Sequence, residues 1–140
     1  TPYYMSPELF KNVPYGFKSD VWALGCVLYE LLCLRTAFDG RSINGLAANI
    51  LRGKYPPIPP HYSRPLRDLV SEMLSTQPAS RPSVSQILSR PFLKKHIAAF
   101  AMTALGNPSH SSASSAAAAA LRQQLHSAGL GRLVARADAQ

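Results

Sequence analysis

The sequence predicts a mainly α-helical fold, and three observations support that prediction. Apolar residues recur at helical spacing in several separate segments between residues 19 and 105. Serine or proline stands near the start of most of these segments, and glycine or proline follows several of them, as is typical of helix ends. The chain of 140 residues is 46% hydrophobic, which is enough for one small domain with a buried core.

Residues 1–16 are predicted to be loop with one short helical turn. Prolines at positions 2, 7 and 14 interrupt any longer helical period. The turn is expected at residues 7–10.

The strongest predicted helix begins behind Ser19 as its N-cap and runs to Cys33. Its apolar residues lie on nearly every face, which predicts a helix buried all round. They are Val21, Trp22, Leu24, Val27, Leu28, Leu31 and Leu32. The apolar run is too short for a membrane span, which needs about 20 apolar residues.

Four further helices are predicted by apolar spacing and end signals. They cover residues 43–52 behind Ser42 and before Gly53, residues 64–74 behind Ser63, residues 84–88 behind Ser83, and residues 92–105. The helix at residues 43–52 is predicted to be amphipathic, with Ile43, Leu46, Ala47, Ile50 and Leu51 as its apolar residues.

Residues 56–60 read Pro-Pro-Ile-Pro-Pro, a run that imposes extended polyproline geometry. The run matches the minimal Pro-x-x-Pro pattern of SH3 ligands. In a compact domain such a run is more often an ordered connector, and both interpretations stay open.

The net charge of +8 does not predict nucleic-acid binding, because the basic residues are spread singly and only Lys94-Lys95 forms a short run. A solvated basic surface that favours acidic substrates or partners fits better. Cys26 and Cys33 lie on one predicted helix roughly 10 Å apart along its axis, too far for a disulfide, which suggests a reducing compartment. The four histidines have no metal-ligand spacing, and no metal site is predicted.

Three blocks of sequence resemble the distal half of a protein kinase. They are Thr1-Pro2-Tyr3-Tyr4-Met5-Ser6-Pro7-Glu8, Ser19-Asp20-Val21-Trp22-Ala23-Leu24-Gly25-Cys26 and Arg81-Pro82-Ser83. In the first, Ser6-Pro7-Glu8 stands where most kinases carry Ala-Pro-Glu at the end of the activation segment. Two further segments are similar in sequence to the NIMA-related serine/threonine kinases: Glu8-Leu9-Phe10-Lys11-Asn12 and Arg52-Gly53-Lys54-Tyr55-Pro56-Pro57.

The resemblance divides the chain into three parts. Residues 1–97 are expected to be the C-terminal part of a kinase catalytic domain, from the end of the activation segment onward, within the large helical lobe of a fold whose parent domain is α+β. Residues 98–106 are expected to be a trailing helix. Residues 107–140 are a Ser/Ala-rich tail, expected to be disordered apart from a short helix near residues 116–125.

The motifs that carry kinase chemistry do not occur in this sequence. It has no Gly-x-Gly-x-x-Gly, His-Arg-Asp or Asp-Phe-Gly. The resemblance implies that the parent protein uses ATP and Mg²⁺ to phosphorylate protein serine and threonine, through a missing N-terminal half that is itself a partner of this lobe. No catalytic, cofactor-binding or metal-binding residue is expected in this chain, which alone is predicted to be inactive.

The resemblance also implies roles for the first residues of the chain. Thr1 matches the threonine that contacts the catalytic Asp in serine/threonine kinases, and it is expected to do so with the missing Asp. Pro2, Tyr3, Tyr4 and Met5 are implied, with Thr1, to bind the substrate. The simpler interpretation of Thr1 is a terminal residue with no role.

Four further residues are implied to support the substrate loop. Glu8 and Arg81 match a buried ion pair of the large lobe, although as isolated charges both would be expected on the surface. Asp20 matches a carboxylate that accepts backbone hydrogen bonds from the catalytic loop, yet a favourable place near a helix N-terminus also explains it. Trp22 is expected to lie in the core beneath the loop that carries Glu8.

Two functions of different class follow. The first is part of a serine/threonine kinase that supplies the substrate-binding loop and the lobe scaffold. The second is a non-catalytic module that binds proteins through the helix at residues 43–52. Cytoplasmic location is expected, with cytoskeletal or nuclear association as family alternatives, and neither nucleic acid nor membrane is expected as a partner.

Overall fold

The computed structural model describes residues 2–105 and residues 119, 120, 123, 124, 126, 127, 129 and 131. It separates into two compact units, Thr1–Val84 and Ser85–Gln140, which are described one at a time. The α-helices are α1 (Pro7–Phe10), α2 (Phe17–Cys33), α3 (Ile43–Arg52), α4 (Arg64–Met73), α5 (Val84–Leu88) and α6 (Pro91–Leu105), and short 3₁₀ turns cover Pro2–Tyr4 and Pro78–Ser80. The described residues contain no β-strand, which confirms the mainly α-helical fold class.

Helix α2 is the centre of the first unit, but two predictions about it are wrong. It begins at Phe17 with Gly16 as its N-cap, three residues before the predicted N-cap Ser19. Ser19 is therefore inside the helix, where its hydroxyl accepts from the Gly16 N–H and donates to Glu8. The helix is also not buried all round, since Leu24 is 50% and Leu31 is 68% exposed.

The buried side of α2 carries an aromatic cluster. The Trp22 ring stacks on Phe38 with centroids 5.3 Å apart, and Tyr55 meets Phe38 edge-on at 5.7 Å. Tyr29 makes a second edge contact with Tyr55 at 5.4 Å. Offset and edge-to-face pairs of this kind add stability beyond the area that they bury, so the cluster ties α2 to the chain on both sides of α3.

Helix α3 has the boundaries that its end signals predict, and α4 begins as predicted but ends at Met73, one residue early. The Ser42 hydroxyl accepts from the Gly45 N–H at 3.1 Å, and Gly53 ends α3 in the left-handed conformation with φ of 64°. A left-handed residue at this position favours glycine. Helix α4 follows Ser63 and packs on α2.

The second unit contains most of α5 and all of α6. Helix α6 runs without interruption across the boundary expected between residues 97 and 98. Of the short helix expected near residues 116–125, the described residues 119, 120, 123 and 124 are helical. The rest of the tail prediction lies outside the described residues.

Candidate substrate-loop anchor

The segment implied to bind substrate, residues 2–5, is held against α2 within the first unit. Pro2–Tyr4 form a 3₁₀ turn, and the Met5 N–H donates to the Pro2 carbonyl at 3.2 Å. Tyr3 and Tyr4 pack partly on the core cluster, and the Tyr4 hydroxyl donates to Glu30 on α2 at 2.7 Å. This hydrogen bond raises the pKa of Tyr4. Thr1 lies outside the described residues.

The structure brings Glu8 and Arg81 together, although 73 positions separate them in the chain. Arg81 Nη1 donates to Glu8 Oε1 at 2.7 Å, and Nη2 donates to Oε2 at 2.8 Å. Both groups are buried, with Glu8 5% and Arg81 1% exposed. In a bidentate contact the guanidinium and the carboxylate form two parallel hydrogen bonds. These bonds compensate for the loss of water around the two buried charges.

Arg81 also contacts the start of α2 and the turn after α4. Its Nη1 donates to the Lys18 carbonyl at 2.7 Å, and its Nε donates to the Ser75 carbonyl at 2.8 Å. In return, the Lys18 ammonium donates to the carbonyl of Arg81. One guanidinium therefore joins two separate stretches of backbone, at Lys18 and at Ser75, to the Glu8 carboxylate.

Ser19 completes the site by donating its hydroxyl proton to Glu8 Oε1 at 2.7 Å. Burial raises the pKa of Glu8, but the hydrogen bonds from Arg81 and Ser19 outweigh burial and lower the pKa to about 2. Glu8 is therefore a charged carboxylate at neutral pH, held by three donated hydrogen bonds. It is a poor general base because its proton affinity is so low.

Trp22 lies beneath this ion pair, as expected for a core residue. It is fully buried, and Arg81 Cζ lies 5.0 Å from its ring centroid, a cation–π contact that covers one face of the guanidinium. Within the described residues, neither the Trp22 indole N–H nor the buried Ser6 hydroxyl has a hydrogen-bond partner. The aromatic cluster and the charged anchor thus share one residue.

Asp20 does not join the anchor. It lies in the first turn of α2, where the helix dipole favours a carboxylate, and its Oδ1 accepts from the Tyr15 hydroxyl. This hydrogen bond raises the pKa of Tyr15. Asp20 is exposed, so its side chain remains on the surface of the first unit.

Sequence reasoning missed three contributors to the anchor. Ser19 is predicted only as an N-cap, and nothing in the sequence indicates the carbonyl oxygens of Lys18 and Ser75 as acceptors. Every residue has a backbone carbonyl, so the residue type does not show which carbonyl accepts a tertiary hydrogen bond. A serine near a helix start is also compatible with capping, so its type alone does not indicate the bond to Glu8.

An apolar strip lies on the exposed side of α2, next to Tyr4. Tyr4, Val27, Glu30, Leu31 and Leu34 line a shallow groove of about 490 Å³ there. Leu34 ends the helix with φ of 55° and is 90% exposed. This strip is the face on which the prediction of all-round burial fails.

No cluster of three or more His, Cys, Asp or Glu side chains occurs in the part of the chain that the structure describes. The anchoring carboxylate of Glu8 is fully committed to Arg81 and Ser19. None of the described helices has the length and apolar content needed to cross a bilayer.

Helix α3 offers less docking surface than its amphipathic pattern suggests. Leu46 and Ile50 are buried in the core of the first unit. Ile43 and Leu51 remain on the surface. The apolar face of α3 is thus largely used within its own unit, and no observation favours this helix as a binding module.

The chain is similar in sequence to known proteins over about 70% of its length. The protein kinase domain family matches residues 1–93. The serine/threonine-protein kinase Nek4 of Mus musculus is 54% identical over 100 residues, and Nek1 of the same species is 50% identical over 100 residues. Nek6 of Oryza sativa subsp. japonica is 41% identical over 98 residues.

These alignments cover 70 to 71% of the chain but a small part of each relative. The matched segment spans 13% of Nek4, 8% of Nek1 and 18% of Nek6. The similarity thus supports the sequence-based recognition of a kinase lobe of the NIMA-related type, and it concerns that lobe alone.

Proposed function

Because the chain belongs to the protein kinase family, we propose that it forms the substrate-facing part of a serine/threonine kinase that transfers the γ-phosphate of ATP to serine and threonine of proteins. The buried Glu8–Arg81 pair is the observation that carries this proposal. It fixes the end of the segment that approaches the substrate to the lobe that supports it.

The proposed role of the lobe is positioning. Arg81 holds Glu8 to α2 and to the turn near Ser75, so the preceding residues 2–5 leave the anchor in a defined direction. The Tyr4–Glu30 hydrogen bond fixes the same segment a second time. Holding the reacting groups in a defined geometry can lower the activation barrier by roughly 7 to 11 kcal/mol in well-oriented systems.

Thr1 is proposed to contact the catalytic Asp. Through this contact it is proposed to make the enzyme specific for serine and threonine, whose hydroxyl groups are on aliphatic side chains. Pro2, Tyr3, Tyr4 and Met5 are proposed to line the place of the substrate residue that follows the phosphorylated one. ATP, Mg²⁺ and the catalytic residues belong to the missing N-terminal half, with which this lobe is proposed to pack. By the same family resemblance we propose a cytoplasmic location.

The test is a joined domain, in which residues 1–97 of this chain replace the corresponding segment of a NIMA-related kinase domain. Phosphate transfer from radiolabelled ATP is measured with serine, threonine and tyrosine peptides that share one flanking sequence. We expect transfer to serine and threonine and none to tyrosine. The unmodified kinase domain is the positive control.

A joined domain that binds ATP and melts cooperatively but transfers no phosphate would contradict the proposal. Transfer to tyrosine would contradict the proposed role of Thr1. The 140-residue chain alone should bind no ATP in calorimetry, because the residues that hold the nucleotide are not in its sequence.

A further inference from the structure

The proline run of residues 56–60 has one row of side chains that is exposed and does not pack in the core of the first unit. Proline fixes φ near −65°, and a residue before proline is restricted to extended conformations. Residues 55, 56, 58 and 59 all precede a proline, so the run up to the turn that begins at Pro59 is expected to follow the polyproline helix, with three residues per turn. Side chains three positions apart then share one edge.

The three edges of residues 54–60 differ in burial. Lys54, Pro57 and Pro60 form the first edge, and all three are exposed. The second edge has Pro56 exposed and Pro59 half-buried. The third edge has Ile58 only 8% exposed, with Tyr55 half-buried one turn before it.

The third edge packs on the aromatic cluster of the first unit. Tyr55 contacts the rings of Tyr29 and Phe38, and Ile58 belongs to the same buried cluster. The Tyr29 hydroxyl also donates to the Pro56 carbonyl at 2.9 Å. The segment is therefore held in an extended form before any partner arrives, which lowers the ordering cost of binding.

A Pro-x-x-Pro ligand presents two edges to an aromatic-lined groove and leaves the third edge outside it. The edge left outside would here be the one that Tyr55 and Ile58 already bury. Lys54 lies one turn before Pro57 on the first edge, so its ammonium would lie at one end of the groove. We propose that Lys54–Pro60 is a docking site for an SH3 domain whose aromatic groove is flanked by acidic residues.

A WW domain fits the same region less well. Residues 59–62 read Pro-Pro-His-Tyr, a proline-rich pattern in which the tyrosine would have to enter the partner. Tyr62 packs partly on the core instead, and its N–H donates to the Pro59 carbonyl at 3.2 Å. Its carbonyl accepts from Arg67 Nε at 3.1 Å, which holds it in place. These contacts favour the SH3 partner.

The test is a titration of isotope-labelled SH3 domains with the full 140-residue chain. The panel contains SH3 domains with and without acidic residues beside the groove. We expect saturable shifts of groove resonances for the acidic domains. The double variant Pro57→Ala/Pro60→Ala and the single variant Lys54→Glu should each weaken Kd about tenfold, or about 1.4 kcal/mol.

Matched controls lie elsewhere on the exposed surface of the first unit. Pro14→Ala and Lys11→Glu make the same chemical changes outside the run and should leave Kd unchanged. Far-UV circular dichroism of every variant checks that helix content is retained. A synthetic peptide of residues 52–62 should bind the same domains.

Three results would overturn the proposal. One is that the 140-residue chain binds none of the acidic SH3 domains. This result counts against the proposal even if the synthetic peptide binds them. Another is binding that the Pro57, Pro60 and Lys54 variants do not weaken. The third is preferential binding of a WW domain that is abolished by Tyr62→Ala.

Discussion

At the scale of single residues, Arg81 shows how a charged side chain is accommodated in a core. Its guanidinium donates to the Glu8 carboxylate and to two backbone carbonyls, and one of its faces covers the Trp22 ring. Burial of an unpaired charge would be very unfavourable, so the contribution of this site depends on all partners being present together.

A double-mutant cycle on this pair tests that dependence. In the joined domain, Glu8→Ala and Arg81→Ala should each lower the free energy of unfolding by about 3 to 5 kcal/mol, because each leaves a buried charge unpaired. The double variant should lose less than the sum. Urea unfolding measures all three.

The surface pair Arg64–Asp68 is the matched control for the cycle. Its groups lie 3.5 Å apart, and their side chains are 85% and 60% exposed. Alanine at either position should change the free energy of unfolding by about 1 kcal/mol or less. Equal effects at the two pairs would contradict the account of the buried pair.

Glu8 also predicts a dependence of stability on acid. Its pKa is about 2 in the folded chain, against an ordinary value of 4.5. A lowered pKa gives a contribution that is fully present above the unfolded value, and this contribution is lost as the pH falls from about 4.5 to 2. The expected loss is about 3 kcal/mol from a shift of this size.

Urea unfolding of the joined domain between pH 6 and pH 2 measures this loss. Glu8→Gln should remove that part of the acid dependence, while Asp68→Asn on the surface should retain it. A Glu8→Gln profile that is parallel to the wild-type profile would show that other groups cause the acid sensitivity.

The Glu8–Arg81 contact could be predicted only through family resemblance. Nothing in the spacing of two residues 73 positions apart indicates that they meet. The role of Ser19 was missed, since a serine near a helix start is compatible with capping as well as with a tertiary hydrogen bond. Local chemistry allows both, and the tertiary fold decides between them.

At the scale of elements, the sequence predicts α3 and α4 well and α2 less well. Ser42 and Gly53 have local capping roles that do not depend on the rest of the fold. The first turn of α2 instead begins at Phe17, whose side chain is 89% exposed, and Gly16 rather than Ser19 is the N-cap. Several residues near a helix start can serve as its cap, so the sequence defines the end of a helix less well than its centre.

Gly25 sets the distance between α2 and α4. A Cβ added there would lie 2.9 Å from Met73 Cβ and 3.1 Å from Leu74 Cδ2, closer than side chains tolerate. Gly25→Ala should therefore destabilise the joined domain by about 1 to 3 kcal/mol, the usual cost of overpacking, despite the better helix propensity of alanine.

Gly45→Ala in α3 is the control, because its added Cβ meets no atom closer than 3.4 Å. It should be neutral or stabilise the fold by about 1 kcal/mol at most. Thermal melting of both variants measures the difference. A Gly25→Ala variant as stable as Gly45→Ala would contradict the close approach of the two helices.

At the scale of the whole molecule, the apolar strip on α2 needs a covering surface. Val27 is 44% and Leu31 is 68% exposed, whereas Trp22 on the same helix is fully buried, as expected. Exposed apolar patches of this kind mark an interaction surface. In the proposed kinase, the N-terminal half supplies that surface.

The 140-residue chain alone should therefore bind a hydrophobic dye and self-associate. In the joined domain the same strip should be covered, and dye fluorescence should fall. Leu31→Glu in the isolated chain is expected to lower dye binding without loss of helix content, because the side chain already faces solvent. Equal dye fluorescence of the chain and the joined domain would show that the strip remains uncovered.

The rate of peptide phosphorylation by the joined domain carrying Arg81→Lys or Arg64→Lys tests the central claim most directly. Arg81→Lys keeps a positive charge but loses the bidentate contact with Glu8 and the contacts with Lys18 and Ser75. If the buried pair positions the substrate segment, kcat/KM for a serine peptide should fall about 100-fold in Arg81→Lys, with ATP affinity unchanged, while Arg64→Lys retains the full rate. Equal rates in the two folded variants would contradict the claim that the Glu8–Arg81 anchor positions the substrate for transfer.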